Sequence, residues 1–194
     1  MAKTTKYLKS PATEKRYFAS AGSFINVLKK KRALGAKCVL TQGVYDLIHE
    51  GHAKYLQLAK SYGDFLVVGV DSDRLTRQRK GPGRPIVPQR ERVEMLLHLR
   101  YVDYVVLRDV REDLGHLIRS LKPDVLVTSH STKDFTKVMA QKYGPYCSKI
   151  VTLQPQSTTT STARIRQLTI DGANSLASEV NKLTAKFIQE LHQA

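Results

Sequence analysis

Lys37-Cys-Val-Leu-Thr-Gln-Gly-Val-Tyr-Asp-Leu-Ile-His-Glu-Gly-His52 is the stretch that decides the fold. Its first residues, 37–41, form a short apolar strand, and Gly43 lets the chain turn tightly at the strand's end. From His52 to Ser61 the apolar residues Tyr55, Leu56, Leu58 and Ala59 predict a helix, closed by Gly63. Phe65-Leu-Val-Val-Gly-Val70 then runs apolar without a break over strand length, the pattern of a strand buried on both faces. Strand, helix and buried strand in this order make a βαβ unit.

The alternation continues outward. Arg90–Leu99, Leu114–Leu121 and Lys133–Tyr143 read as helices, and residues 102–107, 123–128 and 149–153 as strands. Upstream, Phe24, Val27, Leu28 and Leu34 predict a helix near 22–34, stopped by Gly35 after a loose basic start. At the far end Leu176, Val180, Leu183, Phe187 and Leu191 form one apolar stripe on a helix. It packs on its own domain or pairs two copies in a homodimer. The expectation is an α/β, Rossmann-like doubly wound parallel sheet with a C-terminal amphipathic helix. Its parts are a basic arm over 1–21, a main domain over 22–173 and the helix over 174–194.

Composition limits the function classes. Of 194 residues, 41% are hydrophobic and 25% charged, which is globular usage. No apolar run reaches the roughly 18–20 residues of a membrane span, and the first residues lack the apolar core of a secretory signal. Cys38 and Cys147 are too few for a disulfide framework or a four-cysteine zinc site. A cytoplasmic protein is expected. The net charge is +15, and residues 1–37 alone hold ten Lys/Arg against Glu14. Nucleic acid could meet this segment, but no reading motif accompanies the charge. A second cluster, Arg74, Arg77, Arg79, Lys80, Arg84, Arg90 and Arg92, surrounds glycines and prolines as a loop closing over phosphate would.

His49 and His52, three residues apart, fall on one side of a helical turn or of the loop entering it. Gly51 removes a side chain where a ligand approaches the backbone, and the helix that follows presents its N-terminal amides to an anion. Two imidazoles beside such amides make a phosphate cradle. A metal site would need further ligands, and no HExxH or CxxC lies nearby. No metal ligand is assigned.

Gly43-Val-Tyr-Asp-Leu-Ile-His-Glu-Gly-His52 resembles the GxFDxxHxGH signature of the cytidylyltransferase-like nucleotidyltransferase superfamily. Val70-Asp-Ser-Asp73 is similar to the family's V-x-S/T-D. Lys80-Gly-Pro-Gly-Arg-Pro-Ile86 resembles the loop of the heptose-phosphate adenylyltransferase branch, which also stands near the glycerol-3-phosphate cytidylyltransferases. Arg92–Asp103 and Ser161-Thr-Ala-Arg-Ile-Arg166 resemble its later helix and its STTxIR motif, in order and at family spacing over about residues 24–168.

The resemblance implies transfer of a nucleotidyl group from a nucleoside triphosphate with Mg²⁺, ATP favoured over CTP, to a phosphorylated sugar or polyol, with release of pyrophosphate. By position, His49, His52, Lys80 and Arg164 are the catalytic residues it implies. Gly43, Val44, Tyr45, Asp46, Gly51, Asp73, Arg79, Arg92, Arg100, Ser161 and Thr162 are the nucleotide-binding ones. Asp46 would order the turn, and Arg79 and Lys80 would reach the phosphates from a mobile loop. Arg92 and Arg100 read equally as surface charges of a helix, and Asp73 as a helix cap.

The pattern breaks in two places. Ser129-His-Ser131 stands where related enzymes carry Gly-Gly-Asp or Gly-Asp-Asp, and Gln156, Thr159 and Ala163 alter the late motif. These changes keep a second function class open, an inactive nucleotide-binding protein with a regulatory or interaction role, with RNA among its candidate partners.

Overall fold

A computed structural model of the chain describes residues 15–110, 113, 115–130, 137–157 and 161–193, without the side chains of 137, 161, 162, 164 and 185–193. Its strands are β1 (Tyr17–Phe18), β2 (Cys38–Gly43), β3 (Phe65–Asp71), β4 (Tyr104–Arg108), β5 (Val125–Ser129) and β6 (Lys149–Leu153). Its helices are α1 (Ala21–Ala33), α2 (Glu50–Lys60), α3 (Asp73–Lys80), α4 (Gln89–His98), α5 (His116–Leu121), α6 (Lys137–Tyr143) and α7 (Ser161–Gln193). The chain divides into two compact units, residues 1–156 and 157–194.

In the first unit all strand pairings are parallel, in the order β1-β4-β3-β2-β5-β6. The chain moves from β2 outward through β3 to β4, then crosses back to place β5 on the other side of β2. The β2/β5 gap is therefore the point where strand order reverses, and such sheets bind ligands beyond the carboxyl ends of the strands there. Strand alternation divides the core. Val39, Leu66, Val68, Val105 and Val127 pack with Leu56 and Ala59 of α2 and with Val93, Leu96 and Leu97 of α4. Leu40, Val67, Val106 and Leu126 face the other way, onto Phe24 and Leu28 of α1, Leu117 and Ile118 of α5, and Tyr143.

The doubly wound sheet is as expected, with informative differences. The basic start contains an edge strand, β1, which two residues of sequence do not announce. Arg16 ties it down, its Nε donating to the Asp103 carbonyl at 3.0 Å while Val105 N–H donates to the Arg16 carbonyl at 2.9 Å. Residues 1–14 of the expected arm lie outside the described residues. Leu34, expected on the apolar face of α1, sits at its C-cap and is 83% exposed. Residues 73–80, expected as loop, are helical. Ser72 Oγ accepts from Leu75 N–H at 3.1 Å, Leu75 and Thr76 are buried, and the last-turn cations Arg77, Arg79 and Lys80 suit the helix's negative end. Gly81, at φ 94°, stops it.

The second unit is a single helix. Expected from 174, it begins at Ser161 and runs unbroken across 173, with Leu168, Leu176, Val180 and Leu183 exposed. No helix among the described residues is long and apolar enough to cross a membrane.

Close packing under α5 gives a first prediction. A Cβ on Gly115 would lie 1.9 Å from the ring of buried Tyr143. Gly115→Ala should lose about 1–3 kcal/mol of stability through overpacking, read by urea denaturation.

Candidate active site

The β2–α2 connection carries the two histidines to the carboxyl edge of the sheet at the strand-order reversal. Gly43 closes β2 and Tyr45 adopts φ 52°, a left-handed backbone that turns the chain at once. His49 is the N-cap of α2. Its Nδ1 accepts from Gly51 N–H at 3.1 Å, and the His52 Nδ1 accepts from the His49 N–H at 3.3 Å. The two imidazoles thus close a reciprocal capping box on each other's segment. Their rings lie 4.2 Å apart, and Tyr45 packs at 5.7 Å from the His52 ring. Tyr55 on α2 bridges the reversal point: its hydroxyl lies 2.7 Å from Thr41 Oγ1 of β2 and donates to the Val127 carbonyl of β5 at 3.1 Å.

This geometry fixes protonation. A ring that accepts at Nδ1 carries its one proton, when neutral, on Nε2, and so remains a donor without being charged. Burial, the neighbouring His49 and the positive charge of Lys80 push the His52 pKa down to about 4. Lys80 acts on His52 electrostatically, so the end of α3 and the start of α2 share one site.

Asp46, expected to order its own turn, has its carboxylate on the far end of the Lys80–Ile86 loop. Its carboxylate accepts from Ile86 N–H at 2.9 Å, Val87 N–H at 2.8 Å and Arg84 Nη1 at 2.7 Å, and it is itself buried. Asp46→Asn keeps the shape and loses the ion pair and one strong acceptor. It should cost about 1–3 kcal/mol and quicken amide hydrogen exchange at Ile86 and Val87.

Arg92 is 1% exposed. Its Nε donates to the Val87 carbonyl at 2.9 Å, Nη1 to the Val44 carbonyl, and Nη2 to the Asp71 carbonyl at 2.9 Å and to Asp73 Oδ1 at 2.8 Å. One guanidinium ties together three segments, at Val44, at Asp71 and Asp73, and at Val87. In this state Arg92 is a positioning residue and is not presented to a ligand, because its donors are turned inward. Asp73 is held by the same contact, while Ser72 provides the helix cap. Arg79 also differs from expectation: it lies on Asp71, which is 0% exposed and also receives Arg108 Nη1 at 2.7 Å. Arg100 is not brought to the site. It follows the end of α4, near the start of β4, with its guanidinium 5.9 Å from the Tyr101 ring. The histidines stand at the opposite ends of these parallel strands.

Gly43, Val44, Tyr45 and Gly51 do line the histidine turn. Ser161, Thr162 and Arg164 open α7, and their side chains lie outside the described ones. At the end of β5, His130 N–H donates to the Leu153 carbonyl at 3.0 Å with its side chain exposed, beside the reversal point; Ser131 lies outside the described residues. Sequence reasoning assigned no site role to Asp71 or Arg108, and placed Arg84 only within the basic cluster. The only signal was an acid inside an apolar strand, Asp71, whose burial requires a cation that the sequence does not name.

Comparison with known proteins shows the family. The cytidylyltransferase-like family model matches residues 40–168, which include the histidine turn, α3 and the start of α7. The chain belongs to the cytidylyltransferase-like family. It is 41% identical over 139 residues to the bifunctional protein HldE of Geobacter metallireducens, covering 69% of this chain and 28% of that protein. The HldE protein of Helicobacter acinonychis is 43% identical over 108 residues, 56% of this chain and 22% of its own length. The chain thus spans well under half of these relatives. A crystal structure of the lipopolysaccharide core biosynthesis protein from Thermoplasma volcanium matches with TM-score 0.55 and 30% identity, over 61% of this chain and 97% of that one.

Proposed function

We propose that this protein is a nucleotidyltransferase that moves a nucleoside monophosphate from its triphosphate, ATP in preference to CTP, onto a sugar phosphate in the cytoplasm. The observation that carries this reading is the pair of mutually capped imidazoles at the reversal point, with Lys80 acting on one of them. A phosphate oxygen of the acceptor attacks the α-phosphorus in line. The new O–P bond forms as the bond to the bridging oxygen breaks, and pyrophosphate leaves with that electron pair. No proton transfer is needed, so the protein contributes position and charge stabilisation.

A neutral His52 that donates from Nε2 suits this step, since it stabilises the five-coordinate phosphorus without needing to ionise. Lys80 supplies the full positive charge. Mg²⁺ arrives as part of the triphosphate substrate. The preference for ATP rests on the likeness of Lys80–Ile86 to the adenylyltransferase loop. HldE relatives and the Thermoplasma protein support a sugar phosphate as acceptor.

The test is pyrophosphate release by the full chain with each of four nucleoside triphosphates against a panel of sugar, polyol and cofactor phosphates. Release should require both substrates and be fastest with ATP and a sugar phosphate. Nucleotide binding by calorimetry without release from any acceptor would refute transfer and leave a nucleotide-binding protein.

A further inference from the structure

Helix α3 has one end at the histidines and the other at a separate hollow. Ser72, Asp73, Arg74, Arg77, Gln89 and Asp109 line a cavity of about 350 Å³ at the carboxyl ends of β3 and β4, to one side of the reversal point. This is the lower end of the size range of small-molecule sites, roughly 300–1,000 Å³.

The polar groups around it are unevenly engaged. Asp73 is taken up by Arg92, and Asp109 accepts from Ser72 Oγ at 2.8 Å and lies 3.5 Å from Arg74 Nη2. Gln89 turns its carbonyl to Asp73 N–H at 3.0 Å, which leaves its amide nitrogen as a donor. The Arg77 side chain is exposed and has no hydrogen bond or ion pair among the described residues. The carboxylates are therefore occupied, while a guanidinium and an amide nitrogen stand ready to donate. Such a lining takes an anion.

The cavity is mechanically joined to the reaction site. The same Arg92 guanidinium bonds Asp73 on the cavity wall and the Val44 carbonyl in the histidine turn. Arg77 precedes Lys80 by one turn of α3, about 5 Å of rise. Helical side chains lean toward the N-terminus, which carries the Arg77 guanidinium toward the cavity and away from Lys80.

We infer that this cavity seats the end of the acceptor that does not react, and that Arg77 grips an anionic group there. The acceptor is then a sugar phosphate bearing a second anionic group. This specifies the substrate class of the transfer proposed above and rests on it.

The experiment compares α-D-glucose 1-phosphate with α-D-glucose 1,6-bisphosphate as probes, by isothermal titration calorimetry on the full chain without nucleotide. The bisphosphate should bind about ten-fold more tightly, the worth of one charge-assisted contact. Arg77→Gln, which breaks no side-chain hydrogen bond or ion pair among the described residues, should shift the melting temperature only slightly and abolish that preference, and Arg77→Lys should restore part of it. His52→Asn should keep the preference, since it touches the other end. Equal affinities, failure of both sugars to bind, a preference that survives Arg77→Gln, or one lost in His52→Asn would each overturn the assignment. The two readings fail separately. An Arg77-dependent preference in a protein that never releases pyrophosphate sinks the transfer reaction alone. Release with acceptors that show no gain from a second anionic group sinks the cavity assignment alone.

Discussion

His52→Ala is expected to lower the rate of pyrophosphate release by about 10²–10³-fold, the loss seen when one preorganised donor to a developing anion is removed. His49→Ala should do the same. The change should fall mainly on kcat, because the charge these donors meet is greatest at the five-coordinate phosphorus. Each substitution also removes one arm of the capping box, so helix α2 should fray by about 1 kcal/mol. That stability loss is too small to explain a thousand-fold rate loss, and a melting curve separates the two effects. Release at the wild-type rate in either variant would overturn the proposed mechanism.

The same residue sets a pH dependence. Unfolded His52 titrates near 6.5 and folded His52 near 4, so between these values the unfolded chain binds more protons. Stability from this group is fully present above about pH 6.5 and is lost as pH falls toward 4, amounting to at most roughly 3 kcal/mol. His52→Asn should flatten that part of the stability curve. Release by the wild type should show no acid limb from His52 between pH 6 and 8, because the ring is already neutral throughout that range.

Asp71→Ala is expected to destabilise the domain by about 3–5 kcal/mol, the cost of leaving a buried charge without its partner. Asp71 is fully buried and Arg108 is 2% exposed, and they meet at 2.7 Å under the carboxyl ends of β3 and β4. Arg79 occupies the second oxygen. Without the carboxylate, the Arg108 guanidinium loses this buried counter-charge and is too deeply buried for water to replace it. The double variant Asp71→Leu/Arg108→Met tests the cause, since a packed apolar pair should recover much of the loss. If chemical denaturation gives Asp71→Ala the wild-type midpoint, the ion pair contributes nothing to the fold. Arg79 loses its Asp71 contact in both variants, so their residual activity also reads whether its position on Asp71 matters to turnover.

The sheet and its helices were legible because their signals are local. Phe65–Val70 is apolar at every position because a central parallel strand is covered on both faces, and no context is needed to see it. Residues 73–80 were not, since a run rich in Arg and Gln with only Leu75 and Thr76 turned inward has no stripe to read. Strand β1 was hidden for a related reason: its two residues are held by the partner strand β4 and by Arg16. In the site, His49, His52 and Asp46 were named from their motif. The work of Arg92 was not, because a motif gives the position of a guanidinium and not the direction of its donors.

The sequence by itself determined the order of the strands and helices other than β1 and α3, the glycine turn, and the placing of two histidines at the start of a helix. Those follow from periodicity and from backbone freedom within a few residues. Tertiary structure alone decided which cations serve the site and which serve the fold. Arg92, Arg79 and Arg108 are turned inward onto carbonyls and carboxylates, Arg84 is latched to Asp46, and Arg77 stands over a cavity with no side-chain hydrogen bond or ion pair among the described residues. Along the chain they are one basic cluster and its neighbours. They part company because a buried charge must find its counter-charge on whichever segment folding brings beside it, from 8 residues away for Arg79 and Asp71 to 38 for Arg84 and Asp46.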